Sequence, residues 1–531
     1  MQYKRFGVML DMSRNAVMKV DQVERLIDCL AKMGYNMLQL YCEDTYEIEG
    51  EPYFGYLRGR YTSAELKRLD EYALSKGVEL IPCVQTLAHF TNLVRHPAYA
   101  KIVDVNDILL IDEPTTYEFI EKIFATLSQT FTSRNVNIGM DEAHMVGRGK
   151  YMDQHGYAER YDLLIRHLHK VAEIAKKYGF KAHMWSDMFF RIASNGDYYG
   201  DGVIPEEVKK CLPDNVDLAY WDYYHTDKPS YDRMLDRHFE FGHDVWFAGG
   251  AWTWAGFAPL LSQTLASMKP AMQSVREKGV ENVLITMWGD NGKECSFFAM
   301  LHGLYAIRQY ADGNFDEEAI ADGFEKTFGV SYADFALLDL PNKPYEEYEV
   351  GVPLAVGKTL FYTDPFMGWL DKNITNFPVF TYGKYVDRLA AATTRAKEYG
   401  YIFDCMTKFC KVLDSKADLG VRVRKAYKDN DRAALERIVT ELTVLHERLE
   451  EFHQSFYVLW HKENKPQGFE IHDARIGGLM RRVTTCKQRL QAYLMNKLEK
   501  IEELEEEILE YFGGKQLGHN AYMQLISMSK M

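Results

Sequence analysis

The chain has 531 residues, of which 47% are hydrophobic, 26% charged and 14% aromatic, a composition typical of a globular protein with a large core. Its length exceeds that of one ordinary domain, so we expect two or more domains. The formal net charge of −14 argues against nucleic acid as a partner, because a phosphate backbone is bound by basic surfaces.

The cysteine pattern and the N-terminal residues bear on the compartment. The eight cysteines are scattered and form no CxxC pair, which is typical of proteins in a reducing environment. The first residues, MQYKRFGVML, lack the apolar stretch and cleavage site of a signal peptide. No apolar run approaches the ~20 residues that cross a bilayer. The sequence therefore predicts a cytoplasmic protein without a membrane partner.

Between residues 6 and 309 short β-rich segments alternate with amphipathic helical segments. Several of these helices end on a glycine directly before the next strand, as at Gly34 and Gly77. The eight predicted strands cover residues 6–10, 36–41, 78–84, 135–140, 181–185, 216–221, 244–248 and 282–288. The helices between them are predicted at 20–33, 63–76, 117–130, 157–177, 205–211, 231–241, 264–278 and 295–310.

Eight strand–helix units over roughly 300 residues match a (β/α)8 TIM barrel in size. The alternative is a doubly wound open sheet, but no GxGxxG loop follows the first strand. We therefore predict an α/β fold, with a barrel over residues 1–335 and an all-α domain over residues 336–531.

The C-terminal part shows long helical periodicity at 382–428, 431–461 and 472–511. Its segment LEKIEELEEEILEY predicts an amphipathic helix packed in a bundle. The alternative is an intermolecular coiled coil, which would give a homodimer through the helical domain. The polar segment 464–479 is predicted either to fold toward the barrel rim or to form a plain loop between helices.

The active site of a barrel lies at the carboxyl ends of its strands, and here ionisable or aromatic residues follow every predicted strand. Such polar groups beside flat rings predict a pocket for a neutral polyhydroxylated ligand, because sugar C–H faces pack on aromatic rings. The candidates, in chain order, are Arg14, Asp44, His89, Asp141, Glu142, Trp185, Trp221, Tyr223, Trp252, Trp254, Trp288 and Asp290.

Asp141 and Glu142 are the most specific feature. Ordinary glycosidases hold two carboxyl groups on opposite sides of the scissile bond, and adjacent residues are too close in sequence for that arrangement. They suit a division in which one carboxyl group protonates the leaving oxygen and the other stabilises a group on the substrate. Alternatively, the pair caps the following helix or binds a metal with His144. Because no metal-binding spacing is present, we predict no metal and no cofactor.

These residues resemble glycoside hydrolase family 20, the β-N-acetylhexosaminidases. The resemblance rests first on NIGMDEAH after the fourth strand, which is similar to that family's H-x-G-G-D-E-V-H signature. It is supported by LDMSR after the first strand, Glu43-Asp44 after the second and His89 after the third. Trp185 after the fifth strand and the pair Trp288/Asp290 after the eighth add to it.

The resemblance implies hydrolysis of terminal β-linked N-acetylhexosamine from an oligosaccharide or glycoconjugate, with retention by substrate-assisted catalysis. The substrate's acetamido oxygen attacks the anomeric carbon and gives an oxazolinium intermediate. Glu142 is implied to be the general acid, and Asp141 to hold the acetamido N–H. Arg14 and Asp290 are implied to bind the ring hydroxyls, Asp44 and His89 to support the acid, and Trp185, Trp221 and Trp288 to wall the pocket.

The sequence also departs from the family pattern. QTLAH stands where Asp-x-Pro-Gly-His is usual, Met140 replaces a glycine, and no tyrosine follows the seventh strand, so that Tyr223 or Tyr224 is left to contact the acetamido oxygen. Two other functions therefore stay open, a glycan-binding barrel with weak catalysis and a metal-dependent barrel enzyme. The choice between GlcNAc and GalNAc also stays open.

Overall fold

The computed structural model describes residues 3–349, 355–514 and 521–529. Eight parallel strands close into a barrel in the order β1-β8-β7-β6-β5-β4-β3-β2, with β1 paired to both β8 and β2. The predicted (β/α)8 barrel is therefore confirmed. The strands β1 to β8 are Arg5–Asp11, Met37–Cys42, Glu79–Val84, Asn135–Asn137, Lys181–Trp185, Val216–Trp221, Val245–Gly250 and Asn282–Met287.

The strands are apolar along nearly their whole length because both of their faces are covered. One set of side chains fills the barrel interior, where the His183 ring stacks on Trp246 at 3.9 Å between centroids and Gln39 Nε2 lies 3.0 Å from His183 Nε2. The other set packs against the surrounding helices. The interior is therefore a packed core and not a channel, and the active sites of such barrels lie at the carboxyl ends of the strands.

Helices follow the barrel strands as predicted, within a few residues. Thr62 and Glu65 form a capping box at the start of the second of them. Short extra helices follow the fourth and fifth strands, and a small hairpin (Val103–Val105 with Ile108–Leu109) follows the third. Helices α1 to α10 are Val20–Lys32, Ser63–Ser75, Pro114–Thr130, Lys150–His155, Arg160–Lys177, Asp187–Ala193, Glu206–Lys209, Lys228–Phe239, Leu261–Glu277 and Leu301–Asp312.

The C-terminal region is helical, as predicted, and its core is continuous with the barrel's outer layer. The helix predicted over 382–428 is divided into three, with a break at Lys397, whose φ of 50° is left-handed. Helices α11 to α21 are Glu317–Phe328, Tyr332–Ala336, Val356–Tyr362, Asp371–Ile374, Tyr382–Arg395, Gly400–Lys416, Leu419–Lys428, Arg432–Glu463, Phe469–Leu494, Glu502–Glu505 and Tyr522–Ile526.

The prediction of a helix through LEKIEELEEEILEY was wrong. Helix α19 ends at Leu494, just before Asn496 takes a left-handed φ of 56°, and within the segment itself only the four residues of α20 are helical. The glutamates of this segment would repel one another at helical spacing. Its carbonyls instead accept hydrogen bonds from Arg424, at 3.0 Å for Leu504 O and 2.8 Å for Glu506 O. The predicted homodimer thus loses its coiled-coil basis and stays a prediction.

Segment 464–479 does fold toward the barrel rim, although most of it is the start of α19 and not a loop. Asn464 forms a β-bridge with Met18, and the backbone N–H of Lys465 donates to Val17 O at 2.8 Å. Within the described parts of the chain, none of the helices combines the length and apolar character required to cross a bilayer.

Candidate active site

A pocket opens at the carboxyl ends of the barrel strands. It brings together residues that follow seven of the eight strands and are up to 276 positions apart in the chain, from Arg14 to Asp290. All but two of the twelve predicted site residues line it. The lining residues are Arg14, His89, Asp141, Glu142, Trp185, Trp221, Tyr223, Tyr224, Trp254, Trp288 and Asp290.

A sharp backbone turn after β4 directs both acidic side chains into this pocket. Strand β4 ends at Asn137, and left-handed φ angles follow at Gly139 (71°), Met140 (70°) and Glu142 (53°). Left-handed backbone is unfavourable for side chains such as Met and Glu and is concentrated at functional sites. In a regular strand the two neighbours would point to opposite faces. The turn removes that restriction.

Asp141 is held by two neighbours from the loop after β3. Its Oδ2 lies 3.0 Å from His89 Nε2, and its Oδ1 accepts a hydrogen bond from Gln85 Nε2 at 2.8 Å. Burial alone would raise the pKa of Asp141, but His89 and Gln85 hold it below its ordinary value. In turn, burial lowers the pKa of His89, but the carboxylates of Asp141 and Glu43 outweigh it and raise that pKa to about 10. Asp141 is therefore ionised beside a protonated His89.

Glu142 lies at the mouth, with 45% of its side chain exposed. Asp187, at the start of α6, accepts a hydrogen bond from the Glu142 backbone N–H at 3.1 Å and from Arg191 Nε at 3.0 Å. Arg191 Nη2 then lies 3.6 Å from Glu142 Oε1, and His89 Nε2 lies 3.9 Å from Glu142 Oε2. Burial and the nearby Asp141 raise the pKa of Asp187 to about 7. Both the backbone and the carboxyl group of Glu142 are thus fixed by groups of the barrel.

Arg14 forms another part of the pocket wall. It pairs with the buried Glu43, whose Oε1 also accepts a hydrogen bond from Tyr41 OH at 3.1 Å. Burial raises the pKa of Glu43 to about 7, against the opposing effect of Arg14 and His89. Arg14 Nε lies 3.9 Å from Asp290 Oδ1. The enclosing protein raises the pKa of Asp290 to about 6, although Arg14 opposes this.

Aromatic rings form the remaining walls. Trp221 stacks on Tyr223 at 5.4 Å between centroids, and Trp254 meets Tyr223 edge-on at 5.5 Å. The indole N–H of Trp288 donates to Tyr223 OH at 3.1 Å, and Trp185 lies 6.1 Å from Trp288. The pocket therefore combines flat apolar faces with a few oriented polar groups, as sugar recognition requires.

Two predicted residues do not line the pocket. Asp44 is directed away from it, and its Oδ1 lies 3.4 Å from Arg58 Nη2. Glu43 takes the position that was predicted for Asp44, because β2 extends to Cys42, one residue beyond the predicted strand, and the following side chains shift accordingly. Trp252 stands behind the wall, stacked on Trp254 at 4.2 Å.

Sequence reasoning also missed contributors. Gln85 and Asp187 follow strands, but nothing in their local pattern marked them as partners of the acidic pair. Glu43 was named only as part of the family resemblance, without its role as the partner of Arg14. Arg191 lies four residues along α6, where an isolated arginine carries no signal. In the described residues, no three or more His, Cys, Asp and Glu side chains are arranged to hold a metal ion.

A closed (β/α)8 barrel with adjacent carboxyl groups and aromatic walls at its carboxyl end defines a glycoside-hydrolase barrel. Comparison with family models agrees. Residues 3–228 match the glycosyl hydrolase family 20 catalytic domain, and residues 333–523 match the glycoside hydrolase 20C C-terminal domain. Together the two matches cover more than half of the chain. The chain belongs to glycoside hydrolase family 20.

Characterised relatives are distant. Hexosaminidase D from Homo sapiens is 24% identical over 219 residues, which are 40% of this chain and 43% of that protein. A beta-hexosaminidase from Akkermansia muciniphila is 25% identical over 174 residues, 27% of this chain and 35% of that protein. The matched part of the chain spans less than half the length of these two relatives.

Two solved structures align with part of the chain at low sequence identity. The family 20 exo-β-N-acetylglucosaminidase from Vibrio harveyi, in complex with N-acetylglucosamine, is 16% identical, with a TM-score of 0.48 and coverage of 64% of this chain and 58% of that one. The β-N-acetylhexosaminidase from Bacteroides fragilis NCTC 9343 is 19% identical, with a TM-score of 0.48 and coverage of 66% and 73%.

Proposed function

We propose that the protein is an exo-β-N-acetylhexosaminidase, which hydrolyses terminal non-reducing β-linked GlcNAc or GalNAc with retention of configuration. The observation that carries the proposal is that Asp141 and Glu142 reach one pocket, with His89 in contact with the first and near the second. Family membership supports the same substrate class.

The proposed nucleophile is the substrate's own acetamido oxygen. Retaining enzymes with a protein nucleophile place two carboxyl groups about 5–5.5 Å apart on opposite sides of the anomeric carbon. Asp141 and Glu142 come from one turn on one side of the pocket, which suits substrate assistance. The acetamido oxygen attacks the anomeric carbon while the glycosidic C–O bond breaks. Water then opens the resulting oxazolinium ion.

Glu142 is the proposed general acid, because it stands at the pocket mouth, where the leaving group departs. It donates a proton to the glycosidic oxygen and afterwards accepts one from the attacking water. Asp141 is proposed to accept the acetamido N–H and to stabilise the positive charge of the oxazolinium ion. Its low pKa keeps it ionised for this purpose.

Tyr223 is the proposed donor to the acetamido oxygen. Its hydroxyl lines the pocket and accepts a hydrogen bond from Trp288 Nε1 at 3.1 Å. Burial first, and then charges that include Asp141, raise the pKa of Tyr223. Tyr224, by contrast, is 41% exposed, whereas Tyr223 is buried in the pocket wall. Tyr223 is therefore the better candidate of the two for contact with an enclosed acetamide.

Arg14 and Asp290 are proposed to bind the ring hydroxyls. A guanidinium donates and a carboxylate accepts, so together they meet hydroxyl groups in both directions. Trp185, Trp221, Trp254 and Trp288 would enclose the sugar. Such a site holds one terminal residue, which is why we propose an exo mode of action.

We also propose a compartment and a domain boundary. The unpaired state of all eight cysteines is consistent with a cytoplasmic location. The start of the second family match at residue 333 supports a boundary near residue 335, between a catalytic barrel and a helical domain.

The test compares three chromogenic substrates. The protein should release 4-nitrophenol from its β-N-acetylglucosaminide, but not from the α-anomer or from the β-glucoside, which lacks the acetamido group. Proton NMR should detect the β-anomer of the free sugar first. Equal hydrolysis of the β-glucoside would contradict substrate assistance, tight binding without turnover would favour a glycan-binding protein, and activity lost to a chelator and restored by a divalent ion would favour a metal-dependent enzyme.

A further inference from the structure

The loop after β8, residues 288–296, supplies Trp288 and Asp290 to the pocket. Its backbone takes three consecutive unusual conformations, with φ angles of 58° at Asn291, 135° at Gly292 and 57° at Lys293. Residues with side chains rarely adopt such angles, and a loop retains them only when surrounding contacts hold it. The position of Asp290 therefore depends on those contacts.

Several of these contacts come from the C-terminal helices. Lys358 of α13 is buried against the loop, with its Nζ 2.8 Å from Glu294 Oε1 and 3.1 Å from Asn291 O. Both charged side chains are at most 1% exposed. A buried ion pair is costly to break, because one charge is then left unpaired. The pair therefore ties the loop to α13.

Helix α19 holds the same three-residue segment from another side. His472 Nε2 donates to Gly292 O at 2.9 Å, and Arg475 Nη1 donates to Asn291 O at 2.6 Å. A Cβ atom on Gly292 would lie 2.5 Å from Arg475 Nη1, and the φ of 135° by itself strains any residue other than glycine. At the end of the loop, Ser296 Oγ donates to the buried Glu463 of α18 at 2.6 Å.

The turn between α18 and α19 also braces the loop that carries Arg14. Beside the bridge from Asn464 to Met18, Gly468 lies against Asn15, and a Cβ atom on Gly468 would be 2.2 Å from Asn15 O. Gly468 has a φ of 95° and Asn15 one of 80°. The same pair of helices thus supports both residues that are proposed to bind the sugar hydroxyls.

We infer that the C-terminal helices are a positioning element for the active site, and that Arg475 and Lys358 are positioning residues that fix Asp290 and Trp288 for sugar binding. The inference rests on the proposed function, because it assigns the hydroxyl-binding role to this side of the pocket. The acidic pair has no such dependence, since its partners Gln85, His89 and Asp187 all belong to the barrel.

The experiment uses the full chain with Arg475→Ala, the conservative Arg475→Lys, and Arg481→Ala as a matched control on an exposed position of α19. We expect Arg475→Ala to raise KM for the 4-nitrophenyl β-N-acetylglucosaminide about tenfold, the scale of one lost charge-assisted hydrogen bond. kcat should change by less than about threefold, since the acidic pair keeps its geometry. Arg475→Lys should recover part of the loss, and Arg481→Ala should match the wild type.

The affinity for free GlcNAc, measured by the quenching of tryptophan fluorescence, should fall in Arg475→Ala by the same factor by which KM rises. Circular dichroism shows whether each variant is folded, and Lys358→Arg repeats the test if Arg475→Ala does not fold. An unchanged KM and an unchanged GlcNAc affinity in a folded Arg475→Ala variant would overturn the inference. So would a fall in kcat as large as the rise in KM, or an equal effect of Arg481→Ala. Failure of the wild type to hydrolyse the substrate would instead refute the proposed function, which separates the two failures.

Discussion

The two sides of the pocket are built in different ways. On the acidic side, Asp141 and Glu142 are held by residues that follow the two adjacent barrel strands, 45 to 56 positions away in the chain. On the hydroxyl side, the loop that carries Asp290 is held by helices that lie up to 184 positions further along the chain. The first side follows from the barrel alone, whereas the second requires the helical region.

The family matches follow this division except at Arg14, which belongs to the hydroxyl side of the pocket but lies within the catalytic-domain match. The catalytic-domain match ends at residue 228, after β6, and includes Arg14, His89 and the acidic pair. Strands β7 and β8, with Trp254, Trp288 and Asp290, lie between the two matches. We therefore expect that bond cleavage and the binding of the ring hydroxyls can be changed separately by substitution. Variants on the acidic side should change kcat, and variants on the hydroxyl side should change KM.

The largest effect is expected from Glu142→Gln. Loss of the general acid should lower kcat for a β-linked disaccharide of GlcNAc by about 10²–10⁴-fold, because the leaving oxygen must be protonated. The loss should be much smaller for the 4-nitrophenyl substrate, whose leaving group needs little protonation. Steady-state kinetics with both substrates measure the difference, and Glu207→Gln, an exposed glutamate on α7, is the control. Equal losses on the two substrates would argue against the acid role.

Asp141→Asn should have the next largest effect. The neutral amide cannot stabilise the charged oxazolinium ion, so kcat should fall by about 10²–10³-fold, the scale of one lost electrostatic contact in a transition state. KM should change far less. The same kinetic series measures both constants, and a variant that raises KM alone would show that Asp141 merely helps to bind the substrate.

On the hydroxyl side, Arg14→Met should raise KM by about 10–100-fold, since hydrogen bonds to charged groups contribute about 1.5–3 kcal/mol. kcat should stay within a few-fold of the wild type. Arg14→Lys should recover little, because an ammonium cannot reproduce the planar guanidinium. Arg68→Met, an exposed change on α2, is the control. A fall in kcat without a change in KM would break the proposed division.

The smallest effect concerns pH. The pKa of Asp290 is raised to about 6, so its carboxylate accepts a hydroxyl proton above pH 6 and loses this capacity as the pH falls through that value. KM should therefore rise by a few-fold between about pH 7 and pH 5. Glu43, with a pKa of about 7, titrates in the same range. The contribution of Asp290 to the pH dependence of KM is therefore the difference between the wild type and Asp290→Asn. Identical pH profiles of KM in the two proteins would exclude this contribution.

The sequence predicted the barrel well because its strands and helices have distinct periodicities and several helices end at glycines such as Gly34, whose φ is 82°. It was least accurate where backbone geometry or tertiary contacts decide. A one-residue extension of β2 exchanged the positions of Glu43 and Asp44. The spacing of leucines in the acidic segment after Leu494 predicted a helix. Arg424 instead donates a hydrogen bond to a carbonyl of this segment, Leu504 O, in a largely non-helical conformation.

The support of the Asp290 loop could not be predicted at all. His472 and Arg475 lie on α19, about 180 positions from the carbonyls that they bind, and nothing in their local sequence indicates a partner. The prediction that segment 464–479 folds toward the barrel rim identified the correct segment but none of its contacts. Local patterns report strands, caps and strand ends, whereas contacts between distant elements arise only from the complete fold.

The most direct test of the central claim uses a thiazoline analogue of GlcNAc, a stable mimic of the cyclised intermediate. If the substrate's acetamide is the nucleophile and Asp141 faces it, the analogue should inhibit competitively and bind at least about 100-fold more tightly than GlcNAc, as expected for a mimic of a transition state or intermediate. Asp141→Asn should abolish most of that advantage. An inhibition constant no better than that of GlcNAc, in an active wild-type protein, would contradict the account.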